Sequence, residues 1–344
     1  MKLTIKRSAM AALALSVALV AAACSSDDTG GSDESSGGGS DGDLSIVFLP
    51  KNLGNPYFDT STKGGKAATE EFGGTFSEVG PDTGTPDAQV PFINTAAQQG
   101  TSVLVVSAND PTAICDALNE ARDAGTKVVT FDSDTDPECR DLFINQATAE
   151  GIAQVQVDMI AEQIGDAGEI AILSASANAT NQNAWIEMMK TELADHPDIT
   201  LVDTVYGNDD DQTSFDKTAA LLQSHPDLKG IISPTTVGIA AAARYISTSD
   251  AKGTVAITGL GTPNQMREYV EDGTVTEFAL WNPEDLGYLA AYAGQAIADG
   301  TITGAEGDTF EAGKLGEFTV GADATVLLGE PYRFNADNID DFDF

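Results

Sequence analysis

The sequence predicts an α/β protein built as two doubly wound lobes with a ligand cleft at the hinge between them. Three observations lead there. Short apolar strand segments alternate with helical segments along most of the chain; those strands are continuously apolar; and the alternation restarts near residue 147 after one complete set. Continuous apolar strands separated by helices are what a parallel sheet covered on both faces requires.

The elements follow in order. Residues 44–49 (Leu-Ser-Ile-Val-Phe-Leu) form a first strand, and residues 57–72 carry Gly, Ala and Lys at helical spacing. A strand at 76–79, a helix at 87–99 and the strand Ser102-Val103-Leu104-Val105-Val106 come next. A helix at 111–124 leads into Lys127-Val128-Val129-Thr130-Phe131. The second set begins after the strand at 142–146, with helix 149–164, strand 169–173, helix 182–194 and strand 200–206. Helix 213–224, strand 230–232, helix 237–246, strand 255–259 and the apolar run Phe278-Ala279-Leu280-Trp281 complete it. Two helices end alike, at His196-Pro197 and His225-Pro226, because a residue before proline leaves the helical region. These are the chain's two histidines, which makes a Ser-His-Asp triad or a histidine zinc site implausible.

The amino terminus reads as an export signal. Lys2, Lys6 and Arg7 precede an apolar run at 9–23, and Ala22-Ala23-Cys24 offers small residues for cleavage. A bilayer span needs about 18 or more apolar residues, so the run is a removable signal over 1–23. Residues 25–43 contain only Ser, Asp, Gly, Glu and Thr, a composition that buries no core, so 24–43 is expected to be a disordered tether. With Cys24 set aside, Cys115 and Cys139 remain. Outside the cytoplasm they form a disulfide contributing roughly 3 kcal/mol, favoured over two buried thiols because Cys139 sits in the polar run Asp136-Pro137-Glu138-Cys139-Arg140.

Composition narrows the partners. A formal net charge of −37 repels a phosphate backbone, which excludes nucleic acid. There is no G-x-x-x-x-G-K-[ST] phosphate loop and no G-x-S-x-G elbow, and the calcium-like run Asp132-Ser133-Asp134 has Pro137 where the turn needs glycine. Neither a cofactor nor a metal is expected. The acidic run Asp209-Asp210-Asp211 reads as a solvated helix start.

In open α/β sheets ligands bind beyond the carboxyl ends of the strands, and those positions are rich in amides, carboxylates, Thr and aromatic rings. The candidates drawn from these post-strand runs are Lys51, Asn52 and Phe58; Asp132; Asn181, Gln182 and Trp185; Thr262; and Trp281 and Asn282. A hydroxyl both donates and accepts, so amides, carboxylates and Lys pair with it, while the C–H face of a pyranose packs on aromatic rings. The mixture suits a monosaccharide, with Asp132, Asn181 and Lys51 pairing hydroxyls and Phe58, Trp185 and Trp281 as walls. A secreted carbohydrate-active enzyme using Asp132 and Asp134 is the alternative from another class.

Taken jointly, Pro50-Lys51-Asn52-Leu53-Gly54-Asn55-Pro56-Tyr57-Phe58, Asp132-Ser133-Asp134, Asn181-Gln182-Asn183-Ala184-Trp185, Ser233-Pro234-Thr235-Thr236, the run from Gly259 to Met266 and Leu280-Trp281-Asn282-Pro283 resemble the rhamnose-binding proteins of bacterial ABC importers. The leader similarly resembles a lipoprotein signal acylated at Cys24. This resemblance implies the type I periplasmic-binding-protein fold, no enzymatic activity, an expected monomer, and delivery of the sugar to an ABC permease from an extracytoplasmic, lipid-anchored position. It further implies a first lobe of 44–146 plus 282–320 and a second of 147–281 plus 321–344, the third crossing falling near Gly321. Related autoinducer-2 receptors use Lys, Asp, Asp, Gln, Pro and Ala, which fall on Lys51, Asp132, Asn181, Gln182, Pro234 and Thr236, so the resemblance adds Pro234 and Thr236 to the candidates. The departures at Asn181 and Thr236 imply a neutral sugar, L-rhamnose or a similar deoxy-hexose.

Overall fold

The computed structural model describes residues 44–344. The leader over 1–23, the tether over 24–43 and Cys24 lie outside the described residues. The chain runs β1 (Ser45–Leu49), α1 (Pro56–Glu71), β2 (Thr75–Glu78), α2 (Val90–Gln98), β3 (Val103–Val106), α3 (Cys115–Asp123), β4 (Lys127–Phe131) and β5 (Leu142–Asn145). A second set follows: α4 (Ala149–Ile164), β6 (Gly168–Ser174), α5 (Thr180–Glu192), β7 (Ile199–Tyr206), α6 (Asp211–Ser224), β8 (Leu228–Ser233), α7 (Thr236–Ser247), β9 (Ala256–Gly259), α8 (Pro263–Glu271) and β10 (Glu277–Leu280). The remainder is α9 (Pro283–Ala298), β11 (Thr309–Glu311), β12 (Glu317–Thr319), β13 (Thr325–Leu327) and β14 (Tyr332–Asn335).

The first sheet has the order β13-β5-β4-β3-β1-β2, and every neighbouring pair in it is parallel. Strand periodicity explains why its inner strands are so apolar, in contrast to the edge strand β2, Thr-Phe-Ser-Glu, which is largely exposed. Ile46, Phe48, Val103, Val105, Val129 and Phe131 belong to one buried cluster; Val47, Leu49, Leu104, Val106 and Val128 belong to another with Ile93 of α2 and Leu118 of α3. Successive side chains point to opposite faces, and both faces are covered by helices. Burying each such side chain contributes roughly 1.5–3 kcal/mol.

Helix α9 returns to this sheet and lies against α1. The approach depends on two glycines: a Cβ on Gly64 would stand 1.8 Å from the Glu284 carbonyl oxygen, and one on Gly287 would stand 1.8 Å from that of Ser61. Backbones this close leave no room for any side chain.

The second sheet is parallel in the order β7-β6-β8-β9. A bridge between Leu260 and Ala279 carries it to β10, which pairs antiparallel with β14. Phe334 stacks on Phe278 at 5.2 Å, and Arg267 donates to the carbonyls of Ile339 and Phe342 at 3.1 and 2.7 Å, docking the carboxyl-terminal segment.

Three connections pass between the sheets: 146–148, 281–282 and 328–331. The last corrects the expectation of a crossing near Gly321. Glycines around Thr325-Val326-Leu327 disguise a strand that pairs with β5 and buries Val326 fully, and the Leu328 N–H still donates to Asn145 O at 2.8 Å. The chain therefore leaves the first sheet only after residue 327. Helix α3 is also shorter than its predicted 111–124 span, because Asp110 accepts from the N–H groups of Thr112 and Ala113 at 2.9 Å each and folds that stretch into a side-chain-closed turn.

Cys115 and Cys139 are bonded, with Cα atoms 5.3 Å apart, which ties the start of α3 to the 137–139 turn. Beside it, Arg140 Nε donates to both Asp134 oxygens at 2.7 and 2.9 Å and Nη1 reaches the Asp323 carbonyl at 2.9 Å. Burial nonetheless pushes the Asp134 carboxyl up against the pull of Arg140. Among the described residues no helix is long and apolar enough to cross a membrane.

Candidate ligand site between the two sheets

A void of about 380 Å³, its mouth included, lies where the carboxyl ends of both sets of strands face one another. Its lining combines apolar and aromatic surface with a few convergent polar groups, the make-up of a small-molecule pocket.

The wall nearest the first sheet is a buried charged network. Asp132 follows β4 and has φ of 61°, and the Ser133 N–H donates to Phe131 O at 2.6 Å, closing a three-residue turn. That conformation is strained for a residue with a side chain, and such strain is retained where geometry serves a site. It aims the carboxylate into the void. Oδ1 accepts the Tyr57 hydroxyl at 3.0 Å, and Oδ2 accepts the Ser107 hydroxyl at 2.8 Å and stands 3.8 Å from Lys51 Nζ. Burial, followed by the Asp132 charge, raises the Tyr57 phenol well above its ordinary range and keeps it a donor. The Tyr57 hydroxyl oxygen in turn accepts from Trp281 Nε1–H at 2.9 Å.

Buried amides hold the supporting backbone. Gln89 Nε2 donates to the carbonyls of Pro50 and Ser107 at 3.1 and 2.8 Å, while Asn109 Nδ2 donates to Lys51 O at 2.9 Å. Asn55 accepts from Tyr57 N–H at 3.1 Å and Pro56 opens α1, so cap chemistry sets where Tyr57 and Phe58 begin the helix.

The opposite wall is mostly neutral. Asn181 Oδ1 accepts from Lys51 Nζ at 3.2 Å, linking the two walls. Gln182 Oε1 accepts from Ser174 Oγ and Ala175 N, each at 2.7 Å, which leaves Nε2 as its donor for the void. Pro234, Thr235 and Thr236 bring the start of α7 to the lining. Trp185 and Trp281 meet at 6.0 Å between centroids, and Trp281 meets Tyr57 edge-on at 6.1 Å, giving an aromatic corner.

Of the residues singled out in the sequence, Lys51, Phe58, Asp132, Asn181, Gln182, Trp185, Pro234, Thr236 and Trp281 line the void together. Asn52, Thr262 and Asn282 do not. Asn52 donates to the adjacent Leu53 carbonyl at 3.3 Å; Thr262 precedes α8 and donates to Gln265 at 2.9 Å; Asn282 caps α9 by accepting from Glu284 N–H at 2.9 Å. Their post-strand positions are occupied with turn and cap chemistry. Asp134 is likewise committed to Arg140, so the two carboxylates of the enzyme alternative do not face one ligand.

Sequence reasoning missed Asn55, Tyr57, Asp209, Thr235, Leu260 and Leu280 as lining residues. Leu260 and Leu280 escaped an inventory of polar groups and rings. The reading of Asp209 as solvated helix start is corrected: Asp210 caps α6 by accepting Thr213 N–H at 2.7 Å, and Asp209 instead accepts the Thr235 hydroxyl inside the cleft. Asp209 follows the end of β7 by three residues, so the rule applied after other strands would have found it.

Two open parallel sheets joined by three crossings, with a polar and aromatic void at their facing strand ends, define a two-lobed small-molecule receptor. The sequence comparison agrees: residues 46–302 match the periplasmic binding protein domain, and the chain belongs to that family. A sugar ABC transporter protein of Actinomyces odontolyticus is 57% identical, covers 88% of this chain and 98% of its own, and superposes with a TM-score of 0.72. A solute-binding protein of Clostridium phytofermentas, solved with bound L-rhamnose, is 37% identical over 87% of this chain and 98% of its own, TM-score 0.84. LsrB from Clostridium saccharobutylicum, in complex with AI-2, is 29% identical over 88% of this chain and 100% of its own, TM-score 0.82.

Proposed function

We propose that this protein captures a monosaccharide outside the cytoplasm, with L-rhamnose the preferred ligand, and delivers it to an ABC permease without altering it chemically. The observation that carries the proposal is the void in which Lys51, Asp132, Asn181 and Gln182 converge beside Trp185 and Trp281. Charged and amide groups pair hydroxyls, and the tryptophans offer surface to an apolar sugar face. Sequence likeness to a rhamnose-bound relative favours that sugar. In this reading the protein is a monomer acylated at Cys24, the two lobes move about the three crossings, and the closed form is what the permease recognises.

Autoinducer-2 is the second ligand. It is favoured by the identity of Lys51, Asp132, Gln182 and Pro234 with the set such receptors use and by the likeness to LsrB. Against it stand Asn181, which removes a charged acceptor, and Thr236, which adds bulk and a hydroxyl. Titration calorimetry against a monosaccharide panel and autoinducer-2 tests both. Saturable one-to-one binding of L-rhamnose is expected. Binding of autoinducer-2 alone reverses the ranking, and no binding of any monosaccharide overturns the sugar reading.

A further inference from the structure

Asp209 stands at the threshold of the cavity. It lines the inner void and also the outer depression between Asn52, Gly54, Asn55 and Pro56 on one rim and Val237, Ala240 and Gln265 on the other. Each member of the Asp209-Asp210-Asp211 run has a different partner. Asp211 pairs with Arg244 on the surface, Asp210 caps α6, and Asp209 turns inward.

Reaching that position strains the backbone. Asn208 and Asp209 have φ of 56° and 50°, two successive left-handed residues of which neither is glycine. Each such residue costs about 1 kcal/mol or more, and it persists where the surroundings impose it. The Thr235 hydroxyl holds Oδ1, while Oδ2 accepts from no protein donor among the described residues. The residue is half-buried, and desolvation raises its carboxyl while Thr235 and Lys51 pull it down and Asp132 pushes it further up. The charged groups lining the void are two carboxylates, Asp132 and Asp209, against the one ammonium of Lys51. A ligand anion there meets an uncompensated negative charge. A neutral hydroxyl meets an acceptor instead.

We propose that Asp209 is a specificity-determining residue: its unshared oxygen accepts a ligand hydroxyl at the mouth of the cavity, and its charge rejects sugar acids and sugar phosphates. This rests on the monosaccharide reading of the site. The test is titration calorimetry of the wild type, Asp209→Asn and Asp211→Asn with L-rhamnose, D-arabinose, D-galactose and D-galacturonate. Asn retains an acceptor for Thr235, and thermal melting verifies that each variant is folded.

Asp209→Asn is expected to bind the best neutral sugar about tenfold more weakly, the loss of one hydrogen bond to a charged acceptor, and to lower the ratio of neutral to galacturonate affinity by about tenfold or more. Asp211→Asn removes the same charge two residues away and is expected to leave that ratio unchanged. Wild-type affinity and ratio in Asp209→Asn overturn the proposal, as does an equal shift in Asp211→Asn, which would mark a general field effect. Failure of the wild type to bind any of these sugars overturns the monosaccharide reading itself, and this inference with it.

Discussion

The two walls of the cleft are built differently. On the first, Asp132, Lys51 and Tyr57 are buried, joined by hydrogen bonds of 3.0 and 2.8 Å from Tyr57 and Ser107, and backed by Gln89 and Asn109. On the second, Asn181, Gln182, Pro234, Thr235 and Thr236 present amides and hydroxyls near helix starts, with Asp209 as their charge. A charged, pre-organised network is already oriented for a hydroxyl, so a ligand does not have to order it. Neutral amides and hydroxyls discriminate by shape and by which donors they leave unmatched. The contrast assigns affinity chiefly to the first wall and selectivity chiefly to the second.

Asp132→Ala is the largest break. It leaves the Tyr57 and Ser107 hydroxyls and the Lys51 ammonium without their acceptor, and sugar affinity is expected to fall by about 100-fold or more. Thr236→Ala on the opposite wall is expected to cost less than about fivefold while reordering the preferred sugars. Equal losses in the two variants, measured by calorimetry, would dissolve the contrast.

Acidification is the next largest. Asp209 is faced by Lys51 from the segment after β1, by Asp132 from the segment after β4 and by neutral Thr235 ahead of α7, and burial raises its carboxyl. The ionised form accepts the ligand hydroxyl, so its contribution is complete above the raised value and is lost as pH falls through it. About tenfold in affinity is expected to disappear on that limb. The limb should be absent from Asp209→Asn; its survival there would assign it to another group.

Tyr57→Phe comes third. The hydroxyl it removes bridges Trp281 and Asp132 at 2.9 and 3.0 Å, so global stability is expected to drop by about 1–3 kcal/mol, read by chemical denaturation. Asn282→Ala is the smallest: loss of the α9 cap lowers stability by about 1 kcal/mol and leaves sugar affinity unchanged, since Asn282 does not line the void. A clear loss of affinity would return it to the site.

Much of this was legible because strand chemistry is local. Val103-Leu104-Val105-Val106 has few fates other than a doubly covered strand, and Lys51, Asp132 and Trp281 follow strand ends where open sheets receive ligands. What escaped depends on geometry that composition does not encode. Asn282 and Thr262 have the same chemistry whether they bind sugar or cap a helix. The composition of three consecutive aspartates reads as one solvated run; only the position of the first just after β7 marks it, and two left-handed backbone residues turn it inward. β13 was hidden by flanking glycines, although Val326 is as buried as any strand residue of the first sheet.

The most direct measurement is a crystal structure of the protein with its monosaccharide. The predicted result places one sugar ring in the void, hydroxyls bonded to Asp132 and Lys51 from the first wall and to Asn181 and Gln182 from the second, its apolar face against Trp185 or Trp281. A ring bound elsewhere, or one in this void that leaves Asp132 without a ligand hydroxyl, would contradict the account.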